Sequence, residues 1–389
     1  MQSLTMNQTA LSQPSQWHQT NQSNRNSLIT SSTTKNPIQF LRFRNTNHQN
    51  LQLRFAVNPS SQVPPVVVVG SANADIYVEI DRLPKEGETI SAKSGQTLAG
   101  GKGANQASCG AKLSHPTYFV GQVIVFSGAP TCILTPDTIL VGNDAHGNLL
   151  ANALRDGGVR LDYLTVVPSA PTGHAVVMLQ SSGQNSIVIV GGTNMSCWPQ
   201  TLPPQHLEVV SSAGIVLLQR EIPDFVNVQV AKAARNAGVP VIFDAGGFDA
   251  PIPQELLDFV DIFSPNESEL ARLTGLPTES FEDITQAAVK CHKLGVKQVL
   301  VKLGSKGSAL FIEGEEPIQQ PAIFAKTVID TTGAGDTFTA AFAVALVEGK
   351  SKKECLRFAA AAASLCVQVK GAIPSMPDRK SVLELLNHH

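Results

Sequence analysis

Short apolar runs alternate with amphipathic helical patterns in this 389-residue chain, and the alternation restricts the possible folds more than any other feature. The clearest apolar runs lie at residues 66–70, 214–219, 240–244, 261–264 and 298–303. Helical patterns separate them, for example at residues 223–236 and 281–294. Strands that are apolar throughout are typical of parallel sheets covered on both faces. The sequence therefore predicts an α/β fold, with a parallel sheet that carries helices on both faces.

Two stretches interrupt this alternation, at about residues 76–98 and 161–192. In the second, Thr172-Gly-His-Ala-Val-Val-Met-Leu is followed by Ser-Gly-Gln-Asn and then by Ser-Ile-Val-Ile-Val, a pattern typical of a β-hairpin. These strands either form a separate small sheet or lie at the edge of the main one.

A glycine-rich segment near the C-terminus, Asp330-Thr-Thr-Gly-Ala-Gly-Asp336, immediately precedes an Ala/Phe/Val-rich helical pattern. Backbone N–H groups at a helix start lack partners within the helix, and the helix dipole is positive there. Gly333, Ala334 and Gly335 could therefore hold a phosphoryl group, with the Asp336 carboxylate beside it as a proton acceptor. The alternative is a glycine-rich turn in which Asp336 is an ordinary helix cap.

Two further segments make a ligand site the better interpretation. Leu98-Ala-Gly-Gly-Lys-Gly-Ala-Asn105 opens a second Ala-rich helix, and Asn73-Ala-Asp75 follows the first apolar strand. Together with the 330–336 segment they resemble the ribokinase family of sugar and nucleoside kinases, over residues from about Pro65 to the C-terminus. The resemblance implies ATP-dependent phosphorylation of ribose at its 5-hydroxyl group. It also implies that the interrupting strands form a β-sheet lid over the sugar, used for homodimerisation.

Polar residues end several of the predicted strands. They include Asn73, Asp75, Glu221, the Asn266-Glu-Ser-Glu269 segment and the Gly304-Ser-Lys-Gly307 segment. A single such residue is more often part of a turn. In open α/β sheets, however, ligands bind beyond the carboxyl ends of the strands, so several such ends together favour a binding site.

The resemblance assigns these residues to two pockets. Residues expected to bind the sugar are Asn73, Ala74, Asp75, Gly101, Lys102, Gly103, Ala104, Asn105, Glu221 and Asp336. Residues expected to bind ATP are Asn266, Lys302, Leu303, Gly304, Ser305, Lys306, Gly307, Gly335, Asp336 and Ala360. The catalytic set is Asp336 as general base with Gly333, Ala334 and Gly335 as the anion hole. Lys306 also fits a solvated turn lysine.

Two metal ions are implied by the same resemblance. Glu269 would organise Mg²⁺ through water. A potassium ion would be held, mainly by backbone carbonyls, at Asp330, Thr332, Cys366, Val369, Gly371 and Ser375. The sequence leaves open whether this tail is instead only a structural turn.

The N-terminal 62 residues differ in composition from the rest of the chain. They contain five basic residues and no acidic residue, and they are rich in Ser, Thr, Asn and Gln. Such a segment cannot bury a core, and its composition is typical of an organellar transit peptide. We therefore predict a disordered leader over residues 1–62 and a plastid location, with the mitochondrion, the cytosol and a merely disordered tail as alternatives. Residues 63–389 form the predicted kinase domain.

Charge and hydropathy exclude other classes of partner. Without the leader, 24 basic residues face 31 acidic ones, a formal net charge of −7. A domain this acidic is a poor candidate for nucleic-acid binding, and no long apolar run predicts a membrane span. The six cysteines are dispersed without a C-x-x-C pair, which predicts reduced thiols.

One segment does not fit the family pattern. Residues 124–141 separate Thr117-Tyr-Phe-Val-Gly-Gln-Val123 from the Gly142-Asn-Asp-Ala-His-Gly turn that should follow directly. A long apolar connection between strand and helix is unusual. The segment is therefore predicted to be an insertion that loops out of the fold.

Alternatives to a ribose kinase remain open at this point. They are a kinase of another sugar or nucleoside, of the deoxyribose, ketose or pseudouridine type, and an inactive isoform that acts as a binding protein. A Rossmann-type oxidoreductase is excluded because no G-x-G-x-x-G follows the first strand.

Overall fold

The computed structural model describes residues 63–124, 145–167, 170–181 and 184–388. The predicted leader, residues 1–62, lies outside these ranges, and so does the predicted insertion apart from Ile124. Among the described residues, no helix is long and apolar enough to cross a membrane.

The described part of the chain contains strands and helices in alternation. The strands are β1 (Val66–Val69), β2 (Asn73–Ile80), β3 (Ser94–Gly100), β4 (Thr117–Ile124), β5 (Arg160–Val167), β6 (His174–Gln180), β7 (Asn185–Val190), β8 (Ile215–Arg220), β9 (Val241–Gly247), β10 (Ile262–Ser264), β11 (Gln298–Lys302), β12 (Ser308–Ile312) and β13 (Ile318–Gln320). The helices are α1 (Lys102–Lys112), α2 (Ala145–Asp156), α3 (Thr193–Ser196), α4 (Pro204–Ser211), α5 (Asp224–Ala237), α6 (Gln254–Leu257), α7 (Glu267–Thr274), α8 (Phe281–Lys293), α9 (Ala334–Val347), α10 (Lys352–Cys366), α11 (Ala372–Ser375) and α12 (Arg379–Asn387).

The large sheet has nine strands in the order β13-β12-β11-β10-β9-β8-β1-β4-β5. Pairing is parallel from β5 through to β11, and the last two strands are antiparallel. Every residue of β1 and β8 is buried, as the uninterrupted apolar runs predict. The predicted parallel sheet is confirmed.

Both faces of this sheet are covered by helices. Val66 and Val68 point into a core shared with α1, α9 and α10. Val67 and Val69 point to the opposite face, into a core shared with α5 and α8. Successive strand residues alternate between faces, so a strand with a core on each side must be apolar throughout.

A second sheet has four strands in the order β3-β2-β6-β7. Its central pair, β2 and β6, is parallel, and each outer strand pairs antiparallel. The predicted lid strands at 76–98 correspond to β2 and β3. The second predicted lid range, 161–192, begins too early, because residues 160–167 form β5 at the edge of the large sheet. This strand follows α2 and pairs parallel with β4, which is the usual result of a helical crossover.

Candidate active site

A cavity of about 1120 Å³ lies at the carboxyl edge of the large sheet and is roofed by the small sheet. Most of the predicted site residues line it: Asn73, Asp75, Gly101, Lys102, Asn105, Glu221, Asn266, Glu269, Lys302, Gly304, Ser305, Gly307, Thr332, Gly333, Ala334, Gly335, Asp336 and Ala360. The remaining predicted residues do not line the cavity: Ala74, Gly103, Ala104, Leu303, Lys306, Asp330, Cys366, Val369, Gly371 and Ser375. The structure thus brings together residues that are up to 287 positions apart in the chain, from Asn73 to Ala360.

Asp336 lies in the first turn of α9 and is buried. Asn105 Nδ2 donates to its Oδ2 at 2.8 Å, and Gln106 Nε2 donates to its Oδ1 at 3.2 Å. Burial raises the pKa of Asp336 to about 6, with further contributions from the negative charges of Asp244 and Glu221. The Lys102 ammonium opposes this rise. The carboxylate is therefore a stronger base than an ordinary aspartate and is still ionised at neutral pH.

The turn before α9 provides backbone donors beside this carboxylate. Gly333 has a φ of 79°, a left-handed conformation that glycine adopts without strain, and a side chain there would press on Ala372. The Ala334 N–H closes a turn on the Thr331 carbonyl at 3.3 Å. The amides of Gly335 and Asp336 follow in the first turn, where a helix offers its N–H groups no internal partner. Of the predicted anion hole, Gly335 is therefore better placed as a donor than Ala334.

Two lysines flank this helix start. Lys302 Nζ lies 3.8 Å from the position that a Cβ on Gly335 would occupy. Lys102 is surrounded by carboxylates: burial lowers its pKa, but Asp336, Asp244 and Glu221 together raise it above its ordinary value. Both ammonium groups are thus available to attract a phosphate near the start of α9.

Glu221 organises the opposite end of the cavity. Its Oε2 accepts from Ser71 Oγ at 2.5 Å, from Asn73 Nδ2 at 3.2 Å and from the Lys102 N–H at 3.1 Å. Burial raises the pKa of the neighbouring Asp75 well above its usual value, and the negative charges of Glu221 and Asp336 add to the effect. Carboxylate and amide groups in this density suit a ligand with several hydroxyl groups.

At this end of the cavity, the backbone at the start of α1 passes very close to the start of β2. Gly101 has a φ of 90°, and a Cβ there would lie 2.5 Å from the Asn73 nitrogen. Only glycine allows the start of α1 to pass so near to the start of β2. The glycine cluster 100–103 is therefore required by the packing of two elements that both contribute to the site.

Asp244, Gln106 and Asn194 are polar residues of the site that were not predicted. Asp244 ends a predicted strand, so the rule that identified Asn73 also applies to it. It accepts from Lys302 Nζ at 2.8 Å, from Thr339 Oγ1 at 3.0 Å and from the Gly246 N–H at 3.0 Å. Although burial opposes ionisation, the charges of Lys302 and Lys102 lower the pKa of Asp244 below its ordinary value.

No pattern in the sequence indicates that Asn194 and Gln106 belong to the site. The Asn194 amide donates to Asn73 Oδ1 at 2.8 Å and to the Ala72 carbonyl at 3.0 Å. Its own Oδ1 accepts from the Ala72 N–H at 3.1 Å, so Asn194 holds the turn that presents Asn73. Gln106 directly follows Asn105 in the same glycine-rich motif, and only its buried contacts distinguish it from an ordinary helix residue.

The third part of the cavity lies between α7 and the turn at 304–307. Asn266 caps α7 through a reciprocal pair of bonds: its Oδ1 accepts from the Glu269 N–H, and Glu269 Oε2 accepts from the Asn266 N–H, both at 2.8 Å. An apolar wall of Phe324, Val328 and Ala360 faces this region. Phe324 and Val328 were not predicted, because they lie in an irregular segment without periodicity.

Lys306, a predicted ATP residue, does not line the cavity. It is exposed, and its Nζ lies 3.5 Å from the Glu279 carbonyl and 3.8 Å from a Glu267 carboxylate oxygen. This position matches the alternative interpretation of a solvated turn lysine.

The predicted potassium residues lie behind the anion loop, which is the turn at residues 333–335. The two carboxylate oxygens of Asp330 accept from the Thr332 and Gly371 N–H groups, each at 2.9 Å. Cys366 Sγ lies 3.0 Å from Ser375 Oγ and 3.9 Å from the Thr332 carbonyl oxygen. Val369 is different, because its side chain is exposed and its N–H only closes a turn on the Cys366 carbonyl.

Comparisons with known proteins agree with this geometry. The model of the pfkB family carbohydrate kinases matches residues 138–379. The chain is 67% identical over 373 residues to a ribokinase of Arabidopsis thaliana, covering 93% of this chain and 94% of that protein. It is 36% identical to a Bacillus subtilis ribokinase, covering 83% of this chain and 99% of that protein.

Solved structures of ribokinases also match this chain. The structure of Arabidopsis thaliana ribokinase complexed with ribose and ATP matches with a TM-score of 0.75 at 72% identity, over 84% of this chain and 99% of that one. Ribokinase from Thermotoga maritima matches with a TM-score of 0.69 at 35% identity, over 83% and 99%.

The fold and the matching relatives identify the protein as a kinase that acts on a small hydroxylated substrate, and the cavity has the size and polarity for one. The chain belongs to the pfkB family of carbohydrate kinases.

Proposed function

We propose that this protein transfers the γ-phosphoryl group of ATP to the 5-hydroxyl group of D-ribose. The observation that carries the proposal is the position of Asp336, a buried base held at the junction between the anion-binding start of α9 and the hydroxyl-binding end of the cavity. Relatives named ribokinase, at 67% and 36% identity, and a matching structure with ribose and ATP support this choice of substrates.

The sugar would lie under the small sheet, against Asn73, Asp75 and Glu221. Glu221 and Asp75 can accept from hydroxyl groups, and the Asn73 amide can donate. The apolar side chains of Ile187 and Ile189 on β7 line the roof of the cavity and would exclude water from the reacting hydroxyl.

Transfer would proceed in one step, without a covalent intermediate on the protein. Asp336 accepts the proton of the attacking hydroxyl as the oxygen–phosphorus bond forms and the bond to ADP breaks. The N–H groups at the start of α9, together with Lys102 and Lys302, stabilise the charge that spreads over the phosphoryl oxygens.

ATP would occupy the region between α7 and the 304–307 turn, with its base against Phe324, Val328 and Ala360. Glu269 would hold Mg²⁺ through water. The described residues contain no group of three His, Cys, Asp or Glu side chains that could hold a metal unaided, so the phosphates would supply most of its ligands. When bound, Mg²⁺ neutralises charge on the transferring phosphoryl group.

The proposed potassium site comprises Asp330, Thr332, Cys366, Val369, Gly371 and Ser375. Its donor chemistry fits a monovalent cation, since carbonyl, hydroxyl and carboxylate oxygens converge on the segment behind the anion loop. The Asp330 bonds already tie residue 332 to residue 371, so a cation there would stiffen the turn that presents Gly335.

The small sheet is also the proposed dimer interface. Val188 and Val190 lie on the face of β7 opposite to the cavity, and they are 56% and 43% exposed. Exposed apolar residues in a row on a sheet face are typical of a surface that pairs with another copy.

Residues 1–62 are proposed to direct the protein to the plastid and to be removed there. The support is compositional: five basic and no acidic residues, in contrast to the acidic remainder. Mass spectrometry of protein from native tissue tests this, and an intact N-terminus would contradict it.

The substrate is tested by an ATP-coupled assay of the purified protein across ribose, 2-deoxyribose, hexoses and nucleosides. Ribose should give the highest kcat/KM. The strongest competitor is 2-deoxyribose, because relatives at 27% identity are named deoxyribokinase. A higher kcat/KM for 2-deoxyribose or for a nucleoside would overturn the choice of ribose.

A further inference from the structure

Two fully buried glutamines form a chain of amides behind Asp336. Gln219 Nε2 on β8 donates to Gln106 Oε1 on α1 at 2.7 Å. Gln106 Nε2 then donates to Asp336 Oδ1 at 3.2 Å and lies 3.4 Å from Asp244 Oδ2. Residues from four separate elements, β8, α1, α9 and β9, therefore meet in one hydrogen-bonded chain.

The chemistry of the four groups fixes the direction of this chain. The ionised carboxylates of Asp336 and Asp244 can only accept, so Gln106 must turn its NH₂ group towards them. Its carbonyl oxygen then faces away and needs a donor, and the Gln219 amide is the donor that it meets. Without the Gln219 donor, the buried Gln106 carbonyl oxygen would lose its partner in this chain, and the Gln106 amide would be held from one side only.

The surroundings of Gln219 favour a dedicated role. A side chain at Gly70 would collide with Gln219 Oε1. The Asn227 amide donates to the Gln219 backbone carbonyl at 2.9 Å and so fixes the strand that carries it. The space for the Gln219 side chain therefore requires a glycine at position 70, in the turn after β1.

We propose that Gln106 is a positioning residue of the phosphoryl transfer, which together with Asn105 fixes both oxygens of the Asp336 carboxylate, and that Gln219 acts through Gln106 by anchoring its carbonyl oxygen. The proposal rests on the proposed function. With Asn105 on Oδ2 and Gln106 on Oδ1, the carboxylate can neither rotate nor tilt away from the attacking hydroxyl. Neutral donors hold it without adding the full positive charge that would make it a weaker base.

The test uses buried Gln→Met substitutions, which keep length and volume but remove the amide. We expect Gln106→Met to lower kcat with ribose by about 10- to 100-fold, because the base is no longer held in line with the attacking hydroxyl. KM for ribose and for ATP should stay within about twofold, since neither pocket loses a ligand. Gln219→Met should lower kcat less, and the double variant should be no slower than Gln106→Met, because residues in one chain are not independent.

Gln122→Met is the matched control. Gln122 is an equally buried glutamine on β4, and it does not line the cavity. Its substitution should leave kcat unchanged. Gln106→Asn, which keeps an amide but withdraws it by one methylene, should lose activity as Gln106→Met does; it also serves as the test if the Met variant does not fold.

Three results would overturn the proposal: a kcat within twofold of wild type for Gln106→Met or its Asn substitute, an equal loss in the Gln122→Met control, or fully additive losses in the double variant. Failure of the proposed function looks different, because the wild-type protein itself would then produce no ribose-dependent ADP.

Discussion

At the scale of single residues, the properties of Asp336 follow from its position in the first turn of α9. Burial and two neighbouring carboxylates make it basic, while Asn105 and Lys102 keep it ionised. The same residue at an exposed helix start would be an ordinary cap with an ordinary pKa. Its basicity is therefore a product of its tertiary surroundings.

We expect Asp336→Asn to lower kcat by about 10²- to 10⁴-fold, because the amide keeps the shape of the side chain but cannot accept a proton. ATP binding should be retained, since the backbone amides at the start of α9 are unaltered. Steady-state kinetics and calorimetric titration with ATP check both statements. A near-wild-type kcat at saturating ribose would show that another group is the base.

The raised pKa of Asp336 also predicts a pH dependence. The base acts only when deprotonated, so kcat/KM for ribose should rise with pH, reach half its maximum near pH 6 and level off above it. Asp244→Asn should move this midpoint to lower pH, because it removes a neighbouring negative charge that raises the pKa of Asp336. A midpoint unchanged by that substitution would contradict the electrostatic explanation.

At the scale of elements, the start of α9 is held from behind by the segment between α10 and α11. Asp330 links these parts through the Thr332 and Gly371 N–H groups, and Asn185 of β7 donates to Thr332 Oγ1 at 2.7 Å. The anion loop is thus connected to the tail of the domain and also to the small sheet.

We expect potassium to stimulate activity more than sodium, and Asp330→Ala to abolish the difference, because the variant loses the carboxylate that ties the two halves of the proposed site together. Initial rates in potassium, sodium and tetramethylammonium chloride at equal ionic strength measure this. Lys297→Ala, an exposed change outside the cavity, is the control and should retain the stimulation. Equal rates of the wild type in all three salts would remove the cation site.

The exposed face of β7 in the small sheet is the proposed dimer interface. Val188→Glu should convert a dimer to a monomer, because a charge in the centre of an apolar interface is left without water or a partner. Sedimentation measures the change. Glu86→Gln, on an exposed part of the chain after β2, is the control. A wild-type protein that is already monomeric would exclude this face as a dimer interface.

At the scale of the whole molecule, β4 and α2 stand on either side of the predicted insertion at residues 124–141. The flanking elements have their own cores: Val123 on β4 and Leu150 and Leu154 on α2 are buried among residues of the sheet and α1. The described elements on both sides of the predicted insertion are therefore anchored in this core.

Joining Val123 directly to Gly142 should leave the melting temperature and kcat at least as high as in the full chain. A shorter connection lowers the entropy lost on folding and removes an apolar stretch that favours aggregation. Thermal unfolding and the ribose assay on both proteins measure this. A deletion variant that melts at a lower temperature would show that the segment is an integral part of the fold.

The sequence by itself determined the parallel sheet and the edge of the sheet at which the cavity lies. Fully apolar runs such as residues 66–69 have only one common solution, a strand with cores on both faces, and the glycines at 101 and 333 mark turns that other residues cannot form. These signals are local in the sequence, so they can be recognised without knowledge of the tertiary structure.

Tertiary structure alone decided the partners of the Asp336 carboxylate. Gln106 and Gln219 are 113 positions apart, and Gln106 and Asp336 are 230 apart. No local pattern distinguishes them from other buried polar residues. The same holds for β5, which resembled a lid strand until its pairing with β4 placed it in the large sheet. Periodicity reports which side of an element is buried, but the identity of the neighbour is set by how the elements pack, and the direction of a side-chain amide is set by that neighbour.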